Sequence, residues 1–125
     1  MKNILLLSLI AVLAGCGSLN TAGVYKGDKV LYTADLSITT SYDVIHGFVS
    51  WEYNNRVALA STPEIKAAAD NMRKNAKSWI ASAIACRDAY AAAPTDANNA
   101  ALQKAIVVLQ TAVAEATKYM LTSVK

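Results

Sequence analysis

Two runs of apolar residues, each stepping alternately by four and three, constrain this chain more than any other feature. The first is Ile65, Ala69, Met72, Ala76, Trp79, Ala83, Cys86 and Tyr90. The second is Leu102, Ile106, Leu109, Val113, Ala116 and Met120. A mean step of 3.5 keeps side chains on one face of an α-helix and scatters them over both faces of a strand. Each run therefore predicts a long helix with a seam to bury. The punctuation agrees. In Ser61-Thr62-Pro63-Glu64, Thr62 can cap, Pro63 suits the first helical position and Glu64 complements the dipole. Ala93-Pro94-Thr95-Asp96 ends that helix and starts the next, with Thr95 as cap. Short connections make sequential helices antiparallel neighbours.

Residues 30–60 carry a less decisive pattern. As a helix, Leu31, Ala34, Ile38, Tyr42, Ile45, Val49 and Phe48 form one stripe. Residues 32–44 also alternate like a strand, with Tyr32, Ala34, Leu36 and Ile38 set against Thr33, Asp35, Ser37 and Thr39. A lone strand would leave its backbone without a partner, and beyond Asp43 the alternation stops. Glu52 and Arg56 then sit one helical turn apart, a favourable pair. The reading adopted is one long helix. Gly47 inside it costs about 1 kcal/mol against Ala, which points to a close neighbour or a kink. The predicted fold is all-α: an elongated, up-down-up three-helix bundle over residues 30–125. Each helix has about 30 residues and is about 45 Å long.

The first 29 residues read differently. Lys2 is followed by an apolar run from Ile4 to Ala14, then by small residues and a cysteine. That order is a secretory signal. The run is 11 residues, about 16 Å as a helix, against the ~30 Å of a bilayer core. It is too short for a permanent span. Leu13-Ala14-Gly15-Cys16 resembles the lipobox of bacterial lipoproteins. The resemblance implies cleavage between Gly15 and Cys16, diacylglycerol on the Cys16 thiol and acylation of the new amine. Two or more acyl chains anchor stably where one does not. The implied partner of Cys16 is membrane lipid, with no other cofactor. Gly17 is not the aspartate that retains enterobacterial lipoproteins in the inner membrane, so the resemblance implies the outer membrane. Residues 1–15 are then the signal peptide, and 16–29 a lipidated cysteine with a polar, glycine-rich tether.

Removing residues 1–15 takes away Lys2 and no acid, which lowers the net charge from +3 to +2. Such a charge makes no case for nucleic acid. With Cys16 lipidated, Cys86 is a lone thiol, and its place on a seam predicts burial. His46 is the sole histidine, and its spacing to Asp43 and Asp35 matches no zinc motif. No nucleophile motif, glycine-rich phosphate loop or paired carboxylates in a cleft pattern occurs, so no catalytic residue is assigned and an enzyme is not expected.

The segment Tyr42 to Arg56 resembles small helical proteins encoded by phages and prophages, a group with no established activity to transfer. The expected function is a membrane-anchored, non-catalytic interaction module that binds an envelope protein. The phage resemblance adds superinfection exclusion or receptor masking as settings. Candidate contacts are Trp51, Glu52, Tyr53 and Arg56, with a basic face formed by Lys66, Arg73, Lys74 and Lys77 around Asp70. The alternative is a structural protein that self-associates through its seams. A lysis role like that of outer-membrane spanins fits least, because those lipoproteins are proline-rich and this chain has two prolines.

Overall fold

A computed structural model describes residues 28–122. The expected signal peptide, the expected Gly15–Cys16 cleavage site, the lipidation expected at Cys16 and most of the expected tether lie outside them. Three helices account for nearly all of the described chain: α1 Lys29–Asn54, α2 Pro63–Ala92 and α3 Asp96–Thr122. Each packs on the other two. Phe48 near the end of α1 stacks on Tyr119 near the end of α3, with ring centroids 6.2 Å apart, so these two helices run parallel and α2 runs back between their ends. The three-helix bundle is as the seams require.

α1 begins earlier than the tether boundary implied. Asp28 is its N-cap, and one carboxylate oxygen accepts from the backbone N–H groups of Val30 (3.0 Å) and Leu31 (3.2 Å). Asp28 and Lys29 therefore belong to the helical body. α1 also ends earlier, at Asn54 rather than near Ala60, and residues 55–61 are turns. Asn55 stops it: its side-chain amide donates to the Trp51 carbonyl at 2.8 Å and its backbone N–H is shared by the Trp51 and Glu52 carbonyls. The Glu52–Arg56 pair forms nonetheless, across that end.

α2 opens on Pro63 with Glu64 in its first turn, but Thr62 does not cap it through its side chain. The Thr62 hydroxyl instead donates to the Leu59 carbonyl at 2.9 Å, which secures the preceding turn. Thr95 does cap α3, accepting from the Asn98 N–H at 3.2 Å. The Asn98 amide reaches back to the Ala93 and Ala89 carbonyls, tying the two helices at their junction.

The seam of α1 differs from the expected stripe. The buried positions are Ala34, Ile38, Ser41, Ile45, Phe48 and Glu52, a strict alternation of four and three. Tyr42 is exposed, and Ser41 takes its place inside. Gly47 lies on the outer side, and a Cβ there would meet open space. No close neighbour requires this glycine.

The core has two parts. The larger gathers Ile45, Phe48, Ile65, Met72, Leu109 and Val113, with Trp79 and Tyr119 half-buried around it. The smaller lies toward the start of α1 and joins Ala34, Leu102 and Ile106 to Val30, Cys86 and Tyr90. Cys86 is half-buried rather than enclosed. No helix of the described residues is long and apolar enough to cross a membrane.

Candidate functional site

The expected contact residues divide sharply by burial. Glu52 is 1% exposed, at the last seam position of α1, so it is turned inward and does not form part of any outer surface. Burying a carboxylate is costly unless it is paired. Arg56 meets it with a two-pronged hydrogen bond, Nε to Oε1 at 3.1 Å and Nη2 to Oε2 at 3.2 Å. Arg73 of α2 pairs with Oε2 as well. These hydrogen bonds, Arg56 foremost, hold the Glu52 carboxyl below the usual carboxylate range against the burial that raises it. Arg73 also donates to the Val49 carbonyl of α1 and pairs with Asp70.

A second cross-helix pair stands toward the other end of α1. Arg87 of α2 binds Asp35 two-pronged, at 2.8 and 3.1 Å. The carboxylate raises the guanidinium value further. Seventeen residues separate Asp35 from Glu52 along α1, about 25 Å of helix.

The remaining expected contacts lie outside. Trp51 is half-buried, its ring stacked on Phe48 with centroids 5.9 Å apart. Tyr53 is 67% exposed, and the Arg56 guanidinium lies over its ring at 5.3 Å. Lys66, Lys74 and Lys77 are exposed on α2, Lys66 bonding to Asp70. His46 stacks on Tyr42 with centroids 5.8 Å apart. Among the described residues, no three His, Cys, Asp or Glu side chains converge on a common point.

Two concavities accompany these groups. A shallow groove of about 140 Å³ runs between α1 and α2, with Tyr42, His46 and Val49 on one bank and Arg73, Ala76 and Ile80 on the other. An open cleft of about 500 Å³ lies at the far end, bounded by Leu59, Glu64, Lys118, Tyr119 and Thr122.

The seam analysis missed one set. Ile84 of α2 and Val107 and Val108 of α3 are exposed. They stand at one level of the bundle, because their neighbours Cys86 and Ile106 share the smaller core, but on different faces: Ile84 follows Arg73 by eleven residues, on the α1 side of α2, and Val107 and Val108 are about 100° apart on α3. All three fall outside the alternating stripes, and that is the signal that could have found them, although Ala68 and Ala112 lie off the stripes too and are buried.

No protein-family model matches the chain, and neither a curated protein nor a solved structure does.

Proposed function

We propose that this chain is a lipid-anchored, non-catalytic module of the bacterial envelope that acts by holding a neighbouring envelope protein. The observation that carries the reading is the lipobox, Leu13-Ala14-Gly15-Cys16, behind a charged start and a short apolar run. A mature chain with three acyl groups on its first residue stays at a membrane surface. The body adds rigid helices, shallow concavities, and exposed apolar side chains at Ile84, Val107 and Val108. Shallow concavities and dispersed exposed apolar side chains suit contact with a protein better than chemistry on a small molecule. If the resemblance to phage-encoded helical proteins holds, exclusion of a second infection or masking of a receptor is the setting that fits such a module.

The test is recovery of partners from detergent-solubilised envelope, using the lipidated protein and a variant with Ile84, Val107 and Val108 all changed to Ser. The expected result is one protein captured by the first and lost from the second. Recovery of bulk lipoproteins alone counts against the reading. The same exposed apolar set favours one other role, self-association. Sedimentation of the unlipidated chain separates the two, since a monomer at high micromolar concentration excludes it.

A further inference from the structure

The α1–α2 side of the bundle carries two stripes of different chemistry. On α1, Tyr42 and Tyr53 are eleven residues apart, close to three full turns, so they share a face with His46 and Val49 between them. Both tyrosines are exposed. On α2, Lys66 and Lys77 are likewise eleven apart, with Arg73 between them and Lys74 alongside. The two stripes face the same way. Tyr42, His46 and Val49 form one bank of the groove whose other bank includes Arg73, and Arg73 reaches the Val49 carbonyl at 3.3 Å. The groove between them is apolar where Ile45, Met72, Ala76 and Ile80 line it.

Charge on this side is unbalanced. Arg56, Lys66, Arg73, Lys74, Lys77 and Arg87 stand against Asp35, Asp70, Asp88 and the buried Glu52. Asp43, next to Tyr42, lies about 100° round the helix from it. Exposed rings with a polar tip, rows of lysine and an apolar furrow together match the water–lipid boundary. The segment from Gly17 to Gly27 decides whether the side can reach one. Its eleven residues reach at most about 40 Å. A bundle on its side needs only the thickness of two helices, about 20 Å.

We propose that the α1–α2 side rests on an anionic bilayer surface, with Tyr42 and Tyr53 at headgroup level and Lys66, Lys74 and Lys77 against lipid phosphates. The bundle then lies along the membrane and turns the Val107 and Val108 side of α3 away from it. The setting rests on the lipid-anchor reading, but the contact itself does not need the anchor.

The experiment is flotation of the unlipidated chain from Gly17, which retains every residue of the bundle, with circular dichroism to verify its helices. The vesicles are phosphatidylcholine alone, or phosphatidylcholine with about one third phosphatidylglycerol. Binding is expected on the anionic vesicles only and should weaken with salt. Neutralising each lysine to Gln should lower partitioning roughly fivefold, so K66Q/K74Q/K77Q should lose on the order of 100-fold. K104Q/K118Q on α3, a control in the same fold, should lose no more than a small fraction of that. Tyr42→Ala with Tyr53→Ala should weaken what survives high salt. Equal flotation with both vesicle types, no flotation with either, or equal losses from the α2 and α3 variants would each overturn the proposal. A partner protein captured through these lysines in place of lipid would do the same. Because the chain tested carries no acyl group, these results are independent of whether Cys16 is modified.

Discussion

Arg73, near the start of α2, pairs with the carboxylate of Glu52, near the end of α1, and that carboxylate sits where the α1 seam would otherwise carry an apolar side chain. Arg56 completes the cluster from the turn that follows. Breaking a buried pair by removing one partner leaves the other's charge uncompensated, and an apolar replacement of similar volume avoids only the added cost of a cavity. Both arginines are partly in water, which discounts the penalty. Glu52→Ala is expected to cost about 2–4 kcal/mol, and Glu52→Met less than about 1.5 kcal/mol. Urea unfolding of both variants checks this. Equal losses would mean that the missing charge, not the lost volume, sets the cost at the position.

The same carboxyl governs acid sensitivity. Its value in the fold lies below its ordinary one, through Arg56 first and Arg73 next. A group lowered by folding stabilises the fold fully above its unfolded value, and that contribution disappears as pH falls through the folded value. Asp70, lowered chiefly by Lys66 and then by Arg73, acts in the same direction at the surface. The thermal midpoint should therefore hold steady near neutrality and fall below about pH 4. Glu52→Met should flatten that fall. A midpoint that drops identically in both proteins would remove Glu52 from the account.

Gly47 offers the opposite effect. It is helical and exposed, and nothing would obstruct a methyl group there. Gly47→Ala is expected to stabilise the bundle by about 0.5–1 kcal/mol, partly by restricting the unfolded chain. Chemical denaturation measures it, and a destabilised variant would mean that the position needs glycine for a reason the packing does not display.

Phe48 is fully buried and stacks on both Trp51 and Tyr119. Phe48→Ala should cost about 3–5 kcal/mol. A loss under about 1 kcal/mol would indicate that α1 packs elsewhere.

The anchor is tested apart from the body. Cys16→Ala should move the protein out of the membrane fraction, and mass spectrometry of the parent should find three acyl groups on a chain beginning at Cys16. An unmodified amino end on mature protein would falsify the lipoprotein reading.

Most of the bundle was legible because α2 and α3 write their seams in apolar residues. α1 does not. It buries Ser41 and Glu52, so a search for apolar side chains slides one position onto Tyr42 and ends before Glu52. The polar residue was invisible to that search because its burial depends on Arg73, 21 residues further on. The helix end was overrun for a related reason: the Glu52–Arg56 pair looks helical, and Asn55 halts α1 through a local hydrogen bond that periodicity does not register. The surface set at Ile84, Val107 and Val108 was present in the sequence as leftovers from the seams.

Seams rich in alanine have a weakness: small, similar side chains resist sliding poorly. Moving α2 by one heptad against α1 would shift it about 10 Å while leaving a seam in register with a seam. It would also take Arg87 from Asp35 and Arg73 from Glu52, which would keep only Arg56. The two bridges thus work as end stops, and the misaligned state is penalised twice for a single slip.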